Sequence, residues 1–255
     1  MAVRIAFMPI VILEHTCISR ANRLSDVLTR YGHRLDHRRV HKGDPIPTNV
    51  DGMDGLVIMG SPDRLTDGSA AHADAEMDLA RLAHEAGLPV LGICFGAQVL
   101  AQSLGGTLGP LEGGVRVGMH DITLTPAGRD DPLLAGLPWT MSCLHWNRDV
   151  ATSLPPDAVL LASGPASDVQ AWRLGTRTYA VQFHPEMHPG VIDAIISEDR
   201  PDLDEAGTDG PTVRAQVAQA WPTYERLSER LMANVAMLLM PLDQRTLDVV
   251  RDLHH

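Results

Sequence analysis

Short, wholly apolar runs alternate with amphipathic stretches through the first hundred residues of the chain. Residues 3–8 and Gly55-Leu56-Val57-Ile58-Met59-Gly60 read as strands, and residues 89–93 return to the same pattern. Between them, residues 20–31 carry Leu24, Val27 and Leu28 at helical spacing, and residues 70–86 place Met77, Leu79, Leu82 and Ala83 on one inward side. Residues 34–40 are more polar and read as an exposed strand. Strands without a polar face need cover on both sides, so the alternation predicts a parallel sheet between two helical layers. Ligands of such sheets bind at the carboxyl ends of the strands, where Gly60 and Cys94 fall.

From Val115 the pattern changes to short strands between Gly and Pro turns: residues 121–125, 158–162, 169–172 and 178–183. These predict an antiparallel portion added to the same sheet. Residues 197–210 are acidic and rich in Gly, Pro and Asp, which predicts a surface loop, and residues 213–239 read as closing helices. Residues 1–240 thus read as a single domain and 241–255 as a C-terminal tail.

Composition narrows the function classes. The chain has 255 residues, enough to bury a full core, with 44% hydrophobic and 21% charged residues. A net charge of -11 argues against binding a phosphate backbone or an anionic membrane surface. No apolar run is long enough to span a bilayer, and the first residues lack the apolar core of a signal peptide. Cys17, Cys94 and Cys143 lie far apart, which predicts neither a disulfide framework nor a zinc site and suits a reducing cytoplasm.

The chemistry concentrates at Pro89-Val90-Leu91-Gly92-Ile93-Cys94-Phe95-Gly96-Ala97-Gln98. A buried strand stops at a cysteine and a helical pattern (Val99, Leu100, Leu104) starts at once. This is the form of a nucleophile elbow, with Gly92 and Gly96 permitting the close approach of strand and helix. The cysteine then sits at the positive end of a helix, which favours its thiolate. Val181-Gln182-Phe183-His184-Pro185-Glu186 offers a base in His184 and a carboxylate in Glu186 to orient it, so the residues suggest a Cys–His–Glu triad. A cysteine in an apolar strand is more often an inert core residue, and most of the twelve histidines must be structural. The Gly-flanked turn and the adjoining Pro-Glu favour the chemical reading. His145, Asn147 and Asp149 suggest a metal set, as do His184 and His188 at i, i+4, but Pro185 and Pro189 do not suit a helix there and no metal site is expected.

The segments 92–98 and 183–186 resemble those of the class I (triad) glutamine amidotransferases. The resemblance extends over residues 3–187 and includes residues 54–60, 124–128 and 154–163. It implies a flavodoxin-like three-layer α/β sandwich with a mostly parallel central sheet, an added antiparallel portion and a C-terminal helical extension. It implies that Cys94 attacks a γ-glutamyl amide to form a thioester, that His184 protonates the departing amine, and that Glu186 holds the imidazole tautomer. The backbone at Phe95 and at the Gly60-Ser61 turn would hold the oxyanion, and Gln98 the amino-acid end of the glutamyl group; no cofactor is implied.

Two departures stand out. Many relatives carry two glycines and a proline at the oxyanion turn, where this chain has Gly60-Ser61-Pro62. A His-Gly-Asp run of the family is Asn147-Arg148-Asp149 here, which puts a cation near the glutamyl site, either pairing with a substrate carboxylate or facing solvent. The chain ends soon after its closing helices, so the expectation is a stand-alone γ-glutamyl amide hydrolase. The alternatives are a glutaminase subunit serving a separate synthetase partner and a non-catalytic binding or regulatory relative.

Overall fold

The computed structural model describes residues 8–165, 168–198 and 200–240. The strand expected at residues 3–8 lies outside these residues apart from Met8, as does the tail 241–255. The first described strand is β1 (Ile10–Glu14). It is followed by α1 (Asn22–Arg30), β2 (Leu35–Arg39), β3 (Gly55–Ile58), α2 (Ala73–Glu85), β4 (Val90–Ile93) and α3 (Phe95–Ser103). Then come β5 (Thr107–Pro110), β6 (Arg116–Leu124), α4 (Pro126–Asp130), β7 (Thr140–Asn147) and β8 (Asp149–Ser153). The chain continues through β9 (Val159–Ser163), β10 (Val169–Leu174), β11 (Thr178–Val181), α5 (Pro189–Glu198), α6 (Arg200–Glu205) and α7 (Gly210–Asn234).

Among the described residues, nine strands form one mixed sheet in the order β2-β1-β3-β4-β11-β10-β9-β6-β7. The pairs from β2 through β11 are parallel, and those from β11 through β7 antiparallel. Strands β5 and β8 make a small second sheet. The continuous apolar runs follow from two-sided cover. In β1, Ile10 and Ile12 enter the cluster with Leu24, Val27 and Leu28 of α1 and Leu231 of α7, whereas Val11 and Leu13 enter the cluster with Leu79, Ala80 and Ala83 of α2. Each fully buried Leu or Ile of this kind stabilises the fold by about 1.5–3 kcal/mol.

The expected inward side of α2 is partly corrected. Leu79 and Ala83 are buried, but Leu82 is exposed, and the buried set includes Ala73, Glu76 and Ala80 instead. The expected acidic loop 197–210 is also corrected. It holds the end of α5, the helix α6 and the start of α7, because Pro201 lies in the opening turn of α6 and Asp202 and Glu205 of that helix ion-pair with Arg148, between β7 and β8. At the α7 end, Asp209 caps the helix by accepting from Thr212 N–H at 2.7 Å.

Candidate active site

The carboxyl ends of the central strands β3, β4 and β11 open into a cleft of about 390 Å3. Cys94 follows β4 directly, with φ 53° and ψ -106°, a backbone conformation that a side-chain-bearing residue rarely adopts. The turn is possible only because its flanks lack side chains. A Cβ on Gly96 would lie 2.0 Å from Ile58 O, and one on Gly92 would lie 2.5 Å from Gly96 O. The result is a sulfur standing at the N-terminus of α3, as in a nucleophile elbow. Cys94 Sγ lies 3.6 Å from Gln182 Nε2 and 3.7 Å from Trp146 O.

His184 follows β11 and is held by its backbone. Its N–H donates to Leu144 O at 2.9 Å, and its carbonyl accepts from Tyr224 Oη at 2.8 Å. The ring bridges two groups: Nδ1 lies 2.8 Å from Glu186 Oε1, and the ring also contacts the Cys94 sulfur. Burial opposes charge on this imidazole, but the Glu186 carboxylate and the Cys94 sulfur outweigh it and raise His184 to about 10. A cationic imidazole beside a sulfur is the setting in which cysteine chemistry runs through the thiolate. Glu186 is fully buried and keeps its Oε2 without a partner among the described residues.

All six residues expected to bind substrate line the cleft: Gly60, Ser61, Phe95, Gln98, Asn147 and Arg148. Gly60 comes so close to the imidazole that a Cβ there would lie 3.0 Å from His184 Cε1. The N–H groups of Ser61 and Phe95 carry no hydrogen bond among the described residues, so both are free to serve an oxygen in the cleft. Gln98 Nε2 and Asn147 Nδ2 both donate to the buried Asp149 carbonyl, at 2.9 and 3.2 Å. Asn147 Oδ1 is left without a partner in the same wall.

Arg148 finds its partners within the protein. It lines the cleft, but its guanidinium ion-pairs with Asp202 and Glu205 of α6. Trp146 Nε1 donates to the same Asp202 at 3.0 Å. The segment expected to be a loop is therefore tied to the sheet as one wall of the cleft.

The residues considered for a metal separate. Both ring nitrogens of His145 face oxygens inside the sheet, Cys143 O at 3.0 Å and Gln170 Oε1 at 2.8 Å, and burial lowers its pKa to about 4. His188 is exposed while His184 is buried. Asp149 instead receives Arg64 through two bonds of 2.8 Å, Nε to Oδ2 and Nη2 to Oδ1. Arg64 was not legible as a site residue, since its partner lies 85 positions away. The same holds for His15, His72 and Glu76, which gather behind the Gly60 turn.

Known proteins resemble this chain in sequence and in fold. The family model described as glutamine amidotransferase class-I matches residues 18–200. A glutamine amidotransferase-like protein of Salmonella typhimurium, YfeJ, is 30% identical over 208 residues, 78% of this chain and 84% of that protein. Gamma-glutamyl peptidase 3 of Arabidopsis thaliana is 29% identical over 177 residues, 65% of this chain and 68% of that protein. A glutamine-hydrolyzing GMP synthase subunit of Natronomonas pharaonis is 32% identical over 145 residues, 56% of this chain and 71% of that protein. Among solved structures, a glutamine amidotransferase from Methylobacillus flagellatus superposes with a TM-score of 0.81 at 21% identity, covering 90% of this chain and 94% of that one. The flavodoxin-like α/β fold is thus shared with amidotransferase structures.

Proposed function

Because the chain belongs to the class-I glutamine amidotransferase family, we propose that it hydrolyses a γ-glutamyl amide through a glutamyl thioester on Cys94. The observation that carries this reading is the buried imidazole of His184, on the cleft wall between the Cys94 sulfur and Glu186 Oε1. The sulfur adds to the amide carbonyl, and the oxyanion is taken up by the N–H groups of Ser61 and Phe95. The C–N bond breaks as the amine leaves with the proton of His184. Water then adds to the thioester, His184 takes its proton, and glutamate and the free sulfur are regenerated. Glu186 keeps Nδ1–H of the ring as donor and leaves Nε2 for the reacting groups. The likeness to a gamma-glutamyl peptidase supports a γ-glutamyl amide as the substrate.

Glutamate release by the purified protein tests this, with glutamine and a panel of γ-glutamyl amines as substrates. The expected result is turnover without a partner and a glutamyl adduct on Cys94 by mass spectrometry. Turnover that appears only on adding a synthetase would favour the second reading, a glutaminase subunit, which the likeness to the Natronomonas pharaonis protein supports. Absence of both turnover and adduct would leave the non-catalytic alternative.

A further inference from the structure

Behind the cleft, and not lining it, His15 follows the last residue of β1 with its side chain fully buried. Its Nδ1 lies 3.1 Å from Gly60 O, and its Nε2 lies 2.7 Å from Oε1 of Glu76, which α2 presents fully buried. His72, one turn earlier on the same side, stacks on His15 with ring centroids 4.8 Å apart and planes at 24°. Its Nδ1 lies 3.0 Å from Glu76 Oε1 and its Nε2 3.3 Å from Asp63 Oδ2. Phe95, the residue after Cys94, meets both rings edge-on at 5.2 and 5.6 Å. Three such side chains suggest a metal, but near-parallel stacked rings cannot both hold one ion in their planes. The group is built as a hydrogen-bonded stack.

A carbonyl oxygen only accepts, so the His15 nitrogen facing Gly60 carries a proton. Burial pushes the Glu76 carboxyl up, yet its two histidine neighbours outweigh this and hold it below the usual range. It is therefore an ionised acceptor for the other His15 nitrogen. The bond to Gly60 O has a geometric consequence. A trans peptide is planar, with C=O and N–H on opposite edges. Fixing the Gly60 carbonyl against His15 turns the N–H of Ser61, in the same peptide, away from His15 and toward the cleft that Ser61 lines.

We propose that His15, braced by Glu76, is a positioning residue that sets the Gly60–Ser61 peptide so that Ser61 N–H serves the oxyanion. This rests on the thioester reading of Cys94.

Two amide variants of the full chain separate the bonds. The asparagine amide of His15→Asn falls near the place of Nδ1 and keeps the bond to Gly60, whereas that of His15→Gln falls near Nε2 and keeps only Glu76. Hydrogen exchange of a peptide spanning residues 59–64 is expected to be unchanged in His15→Asn and about tenfold faster in His15→Gln. For the Gln variant, kcat should fall about 10- to 100-fold with KM within about threefold, while the Asn variant stays within about threefold of wild type in both. Alkylation of Cys94 by iodoacetamide should match wild type in both variants, since it forms no oxyanion. Wild-type exchange in the Gln variant, or equal losses in the two, would overturn the proposal. A wild-type protein that releases no glutamate from any γ-glutamyl amide would instead sink the thioester reading, and the exchange comparison would still decide the clamp.

Discussion

Two buried histidine–glutamate pairs flank the Gly60 turn, one in the cleft and one behind it. His184 and Glu186 are two positions apart and meet at 2.8 Å; His15 and Glu76 are 61 apart and meet at 2.7 Å. Each carboxylate keeps one oxygen without a partner among the described residues. What separates the pairs is the far side of the ring. The His184 imidazole looks onto a sulfur, a group that changes during a reaction, and His15 looks onto a backbone carbonyl, a group that does not. The same histidine–glutamate pair is thus fit for proton transfer in one place and for holding a peptide in the other.

The largest effects should come from the cleft pair. His184→Ala and Cys94→Ala are each expected to lower kcat by about 10^4 or more, and Glu186→Gln by about 10^2 to 10^4, read as glutamate release. Because the three groups act as a unit, the double variant His184→Ala with Glu186→Gln should be no slower than His184→Ala alone. Independent, multiplying losses would break the comparison, since Glu186 would then act on something other than the ring.

Removing the carboxylate behind the cleft should show in stability. Glu76→Ala leaves His15 facing no carboxylate and His72 facing Asp63 alone, and urea unfolding is expected to report a loss of about 3–5 kcal/mol. A change below 1 kcal/mol would mean that water takes the place of the carboxylate, and the bracing role would fall with it.

How legible each pair was in the sequence follows from its separation. Phe183-His184-Pro185-Glu186 lies beside a β-rich run in one short window, as Cys94 lies between two glycines, so both were readable before any fold. His15 and Glu76 are joined only by the parallel pairing of β1 with β3 and the docking of α2, which no local window contains. The fold divides the same way. Two-sided apolar strands such as Leu56–Ile58 announce themselves, and β3 and β4 stand where their runs do. Strands β7 and β8 mix His, Trp, Asn and Asp into their pattern, because polar side chains there face Gln170, Asp202 and Arg64. Helix α6 was hidden for a related reason: Pro201 and Gly207 suggest a turn, while the ion pairs that hold the helix reach back to Arg148. The inward side expected for α2 missed Glu76 because a carboxylate is not counted as core until its histidines are known.

Titration should pull the pairs apart in opposite directions. His184 is raised from 6.5 to about 10, so its contribution to stability is fully present below pH 6.5 and lost as pH rises toward 10. Glu76 is lowered from 4.5, so its contribution is present above pH 4.5 and lost as pH falls through its lower folded value. Thermal unfolding of His184→Gln should therefore lack part of the wild-type decline between pH 7 and 10. That of Glu76→Gln should lack part of the decline below pH 4.5. Parallel curves for wild type and both variants would mean that neither pair carries a linked proton.

The smallest effect is expected at Arg148, where the cleft meets α6. Its ion pairs are partly solvated, with 27% of the Arg148 side chain and 52% of the Glu205 side chain exposed, so together they contribute on the order of 1 kcal/mol. Arg148→Gly should therefore leave kcat/KM for glutamine within about threefold, because the guanidinium is already engaged by two carboxylates of α6. The same change removes one cation from beside Asp202, a cleft residue. A γ-glutamyl amide whose leaving amine carries a second ammonium should then gain on glutamine by about two- to fivefold in kcat/KM. An unchanged ranking would place the amine beyond reach of α6, and a large loss on glutamine itself would return Arg148 to the substrate carboxylate.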